Sequence, residues 1–366
     1  MTAQYANPVR IVCGAGALAS LPEVVGARRV FLVTSPSARA LGLIDRLERL
    51  LGDRLAGLHE RVRPNPDVAE LGTLYETFWR CHRDAQVLLA VGGGSVIDTA
   101  KVLIIDTTDG RFDVLAGALA AGREVEPAQL RPLIAVPTTA GTGSEVTPWA
   151  TVWDRAAGRK HSLHLAHTWP SCAIVDAELA LSLPPATTLH SGLDALSHAL
   201  ESIWNVNANP VSDTFAVAAV HEILEVLPAL LRRPDELALR ERMATGALKA
   251  GLAFSNTRTA LAHSISYELS LRHGLPHGLA CSFTLPMVLQ SAIGRRADRD
   301  AVLAQALGPL DAAPRRLRDF LEGLGVATDF AAHGVDAAEA QRLVAQALTG
   351  PRGRNFIGAG GGSPGA

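Results

Sequence analysis

The sequence predicts an α/β domain built on a parallel sheet, followed by an all-α domain. Across residues 28–185, short apolar runs rich in β-forming residues alternate with helical stretches, as they do where crossover helices join parallel strands. After Leu183-Pro184-Pro185 these runs stop, and an Ala- and Leu-rich sequence with helical periodicity follows. We therefore expect domains over residues 1–184 and 185–356, and we expect the Gly-rich residues 357–366 to form a flexible tail.

Local patterns predict the individual elements. Continuous apolar runs predict strands with both faces covered, over residues 30–34, 87–91, 133–136 and 173–175. Helical periodicity predicts helices over residues 38–51, 95–105, 191–201, 213–231, 235–253 and 261–267. The helix breakers Gly274 and Pro276 indicate that His277 begins a new element.

Composition narrows the class of ligand. The 366 residues carry a formal net charge of -2, with 48% hydrophobic and 19% charged residues, which argues against a nucleic-acid or membrane-surface partner. The four cysteines form no C-x-x-C pair, so we expect reduced, mostly buried thiols and no disulfide framework. No leader-like N-terminus and no run of about 18 apolar residues is evident. These features predict a cytoplasmic protein that acts on a small molecule.

Two loops indicate a dinucleotide site in the α/β domain. The strand over residues 87–91 runs into Gly92-Gly93-Gly94-Ser95 and then a helix, so glycines and helix N–H groups could receive a pyrophosphate. Such a turn alone is as often a tight turn without a ligand. A second loop, Gly-rich and hydroxyl-rich, covers residues 137–147 after another strand. Ligands of parallel sheets lie beyond the carboxyl ends of the strands, so the two loops support each other.

A carboxylate and several histidines suggest a metal site. Asp194 and His198 are four residues apart on a predicted helix, which places them on one face, although a hydrogen-bonded Asp–His pair has the same spacing. His263 and His277 could complete a four-ligand set of N and O donors, suited to Fe²⁺ or Zn²⁺. Other histidines compete, and spacing alone does not select three ligands from 12.

The separated motifs together resemble the iron-containing (group III) alcohol dehydrogenase family, from about Asn7 to about Asn355. The resemblance implies an N-terminal dinucleotide-binding domain and a helical domain that holds one divalent metal at Asp194, His198, His263 and His277. It also implies NAD(P)H as cofactor and, for many members, a homodimer. The implied cofactor contacts are Asn65, Gly92, Gly93, Gly94, Ser95, Asp98, Thr138, Thr139, Thr142, Ser144 and Lys160.

Two positions depart from the pattern of many members of this family. Where many carry a histidine four residues after the third ligand, this chain has Tyr267, a poorer proton carrier at neutral pH. We predict Tyr267 and His277 as the catalytic side chains. Where many NAD-preferring members carry an aspartate, this chain has Ser35. With help from Arg39, Ser35 would favour NADPH, or it simply caps the following helix.

The stretch 255–267 and the residues after His277 resemble the phosphonoacetaldehyde reductase branch. The expected reaction is then reduction of a small aldehyde to an alcohol, here phosphonoacetaldehyde to 2-hydroxyethylphosphonate. We predict substrate contacts at Trp149, Phe254, Asn256 and Arg258, since an arginine pairs well with oxyanions. An exposed or structurally paired Arg258 is the alternative. The alternative functions are a reductase of maleylacetate, lactaldehyde or a simple alkanal, a nonredox metal lyase or synthase that only borrows the cofactor, and a catalytically silent relative.

Overall fold

The computed structural model describes residues 3–107 and 110–359. The last seven residues of the expected flexible tail, 360–366, lie outside the described residues. The described chain divides into two compact units. One contains Asn7–Thr139 and Ser144–Leu181, and the other contains Ala140–Gly143, the first few described residues and the chain from Ser182 onward.

The first unit alternates strands with helices. Its strands are β1 (Arg10–Cys13), β2 (Val30–Thr34), β3 (Leu55–His59), β4 (Val87–Gly92), β5 (Ile105–Asp106), β6 (Gln129–Leu130), β7 (Leu133–Pro137), β8 (Trp149–Asp154), β9 (Arg159–His164) and β10 (Cys172–Val175). Its helices are α1 (Leu21–Val25), α2 (Ser37–Ala40), α3 (Leu43–Leu51), α4 (Val68–Cys81), α5 (Gly94–Leu103) and α6 (Phe112–Ala121).

A six-stranded parallel sheet forms the centre of this unit, in the order β1-β10-β7-β4-β2-β3. Every residue of β2, β4, β7 and β10 is buried, because helices cover both faces of the sheet. One face packs against a core that includes Phe78 and Leu103, and the other packs against a core that includes Leu21 and Leu47. Antiparallel strands β8 and β9 form a separate two-stranded sheet.

The second unit is helical. Its helices are α7 (Pro185–Ile203), α8 (Pro210–Arg232), α9 (Leu237–Thr257), α10 (Leu261–His273), α11 (His277–Ser282), α12 (Leu285–Ala292), α13 (Ala297–Leu307), α14 (Ala313–Gly323) and α15 (Ala337–Thr349). Prolines occupy the first turn of α7 and α8, where the missing N–H costs nothing, and Asn209 and Ser212 form a capping box at the start of α8. One continuous apolar core joins these helices.

Among the described residues, α8 is long and apolar enough, by length and composition, to cross a membrane, with a mean hydropathy of 1.7 over an 18-residue window. Its inner face packs into the core of the helical unit through residues such as Ala219, Ile223 and Leu227. Helices in the core of soluble proteins can have the same length and apolar composition, so these two properties are weak evidence for a membrane span.

The sequence prediction differs from the structure in several elements. The single helix expected over residues 38–51 is two helices, because Gly42 adopts a left-handed conformation with φ of 66° between them. The helix expected over 95–105 ends at Leu103, and Ile105 belongs to β5. Strands β1, β3, β5, β6, β8 and β9 were not predicted. The expectation of mostly buried cysteines was wrong for Cys13 and Cys81, which are exposed.

Candidate metal and nucleotide sites

Helix α7 presents three ionisable side chains on one face. Asp194, His198 and Glu201 follow at intervals of four and three residues, which is the spacing of neighbours along a helix face. All three are at least 95% buried. Burying ionisable groups is costly unless they are paired or bind an ion. The arrangement therefore calls for partners from other helices.

Imidazoles from three elements converge on one carboxylate oxygen. The Oδ1 atom of Asp194 lies 3.3 Å from Nε2 of His263, 3.7 Å from Nε2 of His277 and 3.8 Å from Nε2 of His198. Four ligands about 2.1 Å from a tetrahedral ion stand about 3.4 Å from one another. The separations from Asp194 are thus those of a ligand set, and the structure brings together all four side chains predicted from the sequence.

The chemistry of this donor set fits a divalent cation. The Nε2 atom of His263 is buried and makes no hydrogen bond within the described residues. Buried polar atoms normally have a partner, and a metal ion would provide one here. Cys281, not predicted from the sequence, adds a thiol whose Sγ atom lies 3.6 Å from Asp194 Oδ1. The candidate donor atoms of Asp194, His263, His277 and Cys281 all lie within 4.8 Å of one another.

Burial and mutual charge set the protonation of these groups. Burial raises the pKa of Asp194, but the three histidines outweigh it and hold the pKa well below its usual range. Burial lowers the pKa of His198 to about 4 against the opposing attraction of Asp194. Burial also lowers the pKa of His263, but Glu201 and Asp194 together raise it to about 9. Asp194 is therefore a carboxylate and His198 a neutral imidazole at neutral pH, the forms that bind metal, whereas His263 has to release its Nε2 proton to bind a cation.

The start of α11 fixes His277. Pro276 precedes the helix and His277 is its first residue, so its ring projects from the helix start and keeps a side-chain exposure of 36%. Gly278 follows, and a Cβ atom added there would lie 1.8 Å from the carbonyl oxygen of His190 on α7. A residue without a side chain is required for this close approach of the two helices.

Replacing Gly278 by alanine is therefore expected to force α11 away from α7. Overpacking of this kind costs about 1–3 kcal/mol, and we expect at least that loss in the free energy of unfolding, measured by urea denaturation. The matched control is Gly323→Ala in α14, where an added Cβ atom meets nothing within 4 Å and alanine is the better helix former. Equal unfolding midpoints for the two variants would contradict the close approach.

Tyr267 lies one helical turn after His263 on α10. Burial raises the pKa of its phenol to about 12, although the nearby guanidinium of Arg352 lowers it. That guanidinium lies 4.7 Å from the centre of the tyrosine ring, and its Nε donates to Thr259 at 3.1 Å. Tyr267 therefore stays protonated at neutral pH and can donate a hydrogen bond, but it does not exchange protons readily.

The residues predicted to contact substrate have different surroundings. The Phe254 ring stacks on His198 with centroids 4.0 Å apart. The Asn256 side chain donates to and accepts from the backbone of Ala6, so its amide holds the N-terminal segment. Arg258 is exposed, which was the alternative to a substrate contact, and it adopts a positive φ of 69°. In the α/β unit, Trp149 stacks on His164 with centroids 3.7 Å apart.

The two Gly-rich loops lie side by side at the carboxyl edge of the parallel sheet. Strands β4 and β7 are neighbours with Gly92 opposite Pro137, and the N–H of Thr138 donates to the Gly92 carbonyl at 3.1 Å. The backbone N–H of Asn65, which has a positive φ of 61°, donates to Ser95 Oγ at 3.1 Å. The structure thus groups most of the predicted dinucleotide contacts at one edge, where parallel sheets bind ligands.

A buried network holds the second loop against α5. The ammonium of Lys101, 0% exposed, donates to the Ser144 carbonyl at 2.7 Å, to Ser144 Oγ at 2.8 Å and to the Trp149 carbonyl at 2.6 Å. Asp98, predicted to contact the cofactor, accepts from Ser144 Oγ and from the N–H of Thr151. Burial lowers the pKa of Lys101 to about 8, so the three donors are present at neutral pH.

The buried carboxyl group of Glu145 is expected to make the free energy of unfolding depend on pH. Burial raises its pKa from 4.5 to about 7, so the unfolded chain ionises before the folded one as pH rises. The neutral form thus stabilises the fold at acid pH, and this contribution is lost between about pH 4.5 and 7. Glu145→Gln should therefore gain stability relative to the parent as pH rises from 5 to 8, read from denaturation at each pH. A difference that does not change with pH would contradict this.

Ser35, Lys160 and Thr142 were also predicted to contact the cofactor, and Arg39 was predicted to assist Ser35. Ser35 Oγ lies 2.9 Å from Ser37 Oγ, and α2 has no side-chain cap, so Ser35 does not cap that helix. The Arg39 guanidinium is paired with Glu60 at 2.7 Å. Lys160 is on β9, with Nζ 5.3 Å from the centre of the Trp153 ring. Thr142 belongs to the segment that clusters with the helical unit.

Sequence reasoning missed Glu201, Cys281 and Arg352. The spacing of Glu201 from His198 and of Cys281 from His277 places each on the helix face of a predicted ligand, and this signal was available. Arg352 lies 85 residues after Tyr267, and nothing in its local sequence indicates that contact.

Comparison with protein families gives an assignment for both units. The model of the family described as iron-containing alcohol dehydrogenase matches residues 8–177. The model of the Fe-containing alcohol dehydrogenase family C-terminal region matches residues 188–356. The chain belongs to the iron-containing alcohol dehydrogenase family. The resemblance and the fold class predicted from the sequence are therefore confirmed.

Individual members of the family support the assignment. NAD-dependent methanol dehydrogenase of Bacillus methanolicus is 31% identical, over 95% of this chain and 93% of that protein. The crystal structure of sulfoacetaldehyde reductase from Bifidobacterium kashiwanohense in complex with NAD+ is 29% identical with a TM-score of 0.88, covering 98% of this chain and 95% of that one. Maleylacetate reductase from Agrobacterium tumefaciens is 27% identical with a TM-score of 0.78, covering 96% and 93%.

Proposed function

We propose that this protein reduces a small aldehyde to an alcohol with NAD(P)H, and that Asp194, His198, His263 and His277 hold one Fe²⁺ or Zn²⁺ ion. The observation that carries the proposal is the convergence of three imidazole Nε2 atoms on Asp194 Oδ1, at 3.3–3.8 Å. When bound, the cation would polarise the carbonyl group and the reduced nicotinamide would supply the hydride.

The residues around the donors have definable tasks in this reaction. Phe254 covers the ring of His198 and keeps water from that side. Tyr267, protonated because its pKa is about 12, can donate a hydrogen bond to an oxygen that gains negative charge. Since the phenol does not readily release its proton, the proton that the alcohol requires must come by another route, such as solvent.

For the substrate we propose phosphonoacetaldehyde, which gives 2-hydroxyethylphosphonate. The similarity to a sulfoacetaldehyde reductase supports an aldehyde that carries a tetrahedral oxyanion, since sulfonate and phosphonate share that shape. Exposed Arg258 is the predicted cationic contact for this group. Sulfoacetaldehyde is the second candidate for the same reason, and maleylacetate, lactaldehyde and simple alkanals are further candidates.

The cofactor preference stays a prediction. Ser35 and Arg39 suggested NADPH, but Arg39 pairs with the Glu60 carboxylate, which reduces its capacity to hold a 2′-phosphate. The similar sulfoacetaldehyde reductase was crystallised in complex with NAD+. Cytoplasmic location and a homodimer are likewise proposals, and native mass measurement in solution tests the second.

The experiment is a substrate panel with the metal-loaded protein. Phosphonoacetaldehyde, sulfoacetaldehyde, maleylacetate, lactaldehyde and propanal are each offered with NADH and with NADPH, and cofactor oxidation is followed by absorbance. We expect the highest kcat/KM with phosphonoacetaldehyde. A higher value with another aldehyde would replace the substrate assignment, and no oxidation with any of the five would favour a catalytically silent relative.

A further inference from the structure

Glu201 is a completely buried carboxylate in contact with one predicted ligand. It lies on α7 and is 0% exposed. Its Oε2 atom lies 2.6 Å from Nδ1 of His263, and its Oε1 atom accepts the backbone N–H of His263 at 3.2 Å. Both oxygens of the carboxylate therefore contact His263, which lies on another helix.

The second contact also explains how α10 begins. Ala260, which precedes the helix, offers no side-chain cap, and the first N–H groups of a helix have no partner within it. Glu201 supplies an acceptor from α7 and places a negative charge at the positive end of the α10 dipole. The same carboxylate thus fixes the start of the helix and the ring of its third residue.

The ring contact decides which nitrogen of His263 carries a proton. The Oε2 atom of Glu201, 2.6 Å from Nδ1, offers an acceptor at that nitrogen, so the proton of the neutral ring lies on Nδ1. The Nε2 atom then presents its lone pair at the position 3.3 Å from Asp194 Oδ1. Carboxylates that accept from the far nitrogen of a ligating histidine fix its orientation and increase its basicity.

We propose that Glu201 is a positioning residue for the metal: it holds His263 as the Nδ1–H form and orients Nε2 toward the cation. This inference rests on the proposed function, because it assumes that His263 is a ligand. The contact on the α10 backbone gives Glu201 a structural role as well, so the test must separate metal affinity from fold stability.

Glu201→Gln preserves size and removes the charge. We expect the affinity of the metal-free protein for Zn²⁺, measured by competition with a chelator, to fall about 10–100-fold. The matched control is Asp213→Asn on α8, which likewise removes the charge of a buried carboxylate, one that accepts from the guanidinium of Arg299 at 2.7 Å. Its Zn²⁺ affinity should stay within about twofold of the parent, even if its free energy of unfolding falls.

A purely structural role for Glu201 predicts the opposite result: lower stability of metal-free Glu201→Gln with unchanged Zn²⁺ affinity. That result would overturn the proposal. If Glu201→Gln does not fold, ¹⁵N NMR of the histidines in the Zn²⁺-loaded parent protein decides. A His263 that carries its proton on Nε2 would be incompatible with the inference, and one that carries it on Nδ1 supports it.

The same measurements keep the two proposals distinct. A parent protein that binds Zn²⁺ but reduces no aldehyde contradicts the proposed function and leaves the role of Glu201 to be judged by affinity. A parent protein without Zn²⁺ affinity contradicts both.

Discussion

Asp194→Ala protein is expected to retain no stoichiometric divalent cation and to lose at least ~10³-fold in kcat/KM for aldehyde reduction. Asp194 is the one carboxylate among the four predicted ligands, and the Nε2 atoms of the other three lie within 3.8 Å of its Oδ1. Without it, the three remaining predicted ligands would be neutral imidazoles, and none of them would offset the charge of a dication. Lewis-acid stabilisation supplies several kcal/mol of a reaction barrier, and each ~1.4 kcal/mol is tenfold in rate.

Metal content by elemental analysis and initial rates on the best aldehyde of the panel provide the measurement. The matched control is Asp319→Ala, which removes an exposed aspartate of α14 that faces Arg315 at 3.8 Å. It should keep full metal content and rate, since exposed ion pairs contribute little to stability. An Asp194→Ala protein that still binds one cation per chain would show that the ligand set is wrong.

Lys101→Met should lower the free energy of unfolding by about 3–5 kcal/mol, the cost of removing one partner from a buried charged network. Three oxygens lose their donor, and Asp98 keeps a buried carboxylate without the nearby ammonium that favours its charged form. Because the loop that contains Ser144 loses its attachment to α5, we also expect weaker binding of NAD(P)H.

Urea denaturation and a cofactor titration by nicotinamide fluorescence give the two readouts. Lys249→Met is the matched control, because Lys249 is 30% exposed and its Nζ lies 3.9 Å from Glu222. Its loss should stay below about 1 kcal/mol. Equal losses for the two lysine variants would mean that the buried network contributes no more to the free energy of unfolding than a partly exposed ion pair.

The sequence predicted the elements with strong local signals. The strand over Val30–Thr34 has the predicted bounds, and His277 begins a helix because Pro276 and Gly274 end the preceding segment. The short strands β1 and β3 were missed because neither is a fully buried apolar run; β3 is half-buried at the sheet edge. Gly42 splits the expected helix through backbone conformation, which hydrophobic periodicity does not report.

In the candidate site too, local patterns predicted some residues, and only the fold showed the contacts of others. Local spacing placed Asp194 and His198 on one helix face, and the resemblance to the family selected His263 and His277 from the other histidines. Glu201 had the same helical spacing, but its role depends on His263 of α10, whose Nδ1 atom lies 2.6 Å from Glu201 Oε2. No local sequence pattern predicts that contact between two helices. Asn256 looked available for a substrate, whereas the fold brings the backbone of Ala6 to its amide from 250 positions earlier in the chain.

The sequence by itself therefore determined the fold class, the family and the candidate donors, because periodicity, helix breakers and motif spacing are properties of neighbouring residues. Only the tertiary structure decided which groups meet: the thiol of Cys281 beside Asp194, the guanidinium of Arg352 over Tyr267 and the ammonium of Lys101 among three oxygens. These contacts join residues 43 to 87 positions apart, and packing between helices and loops sets them.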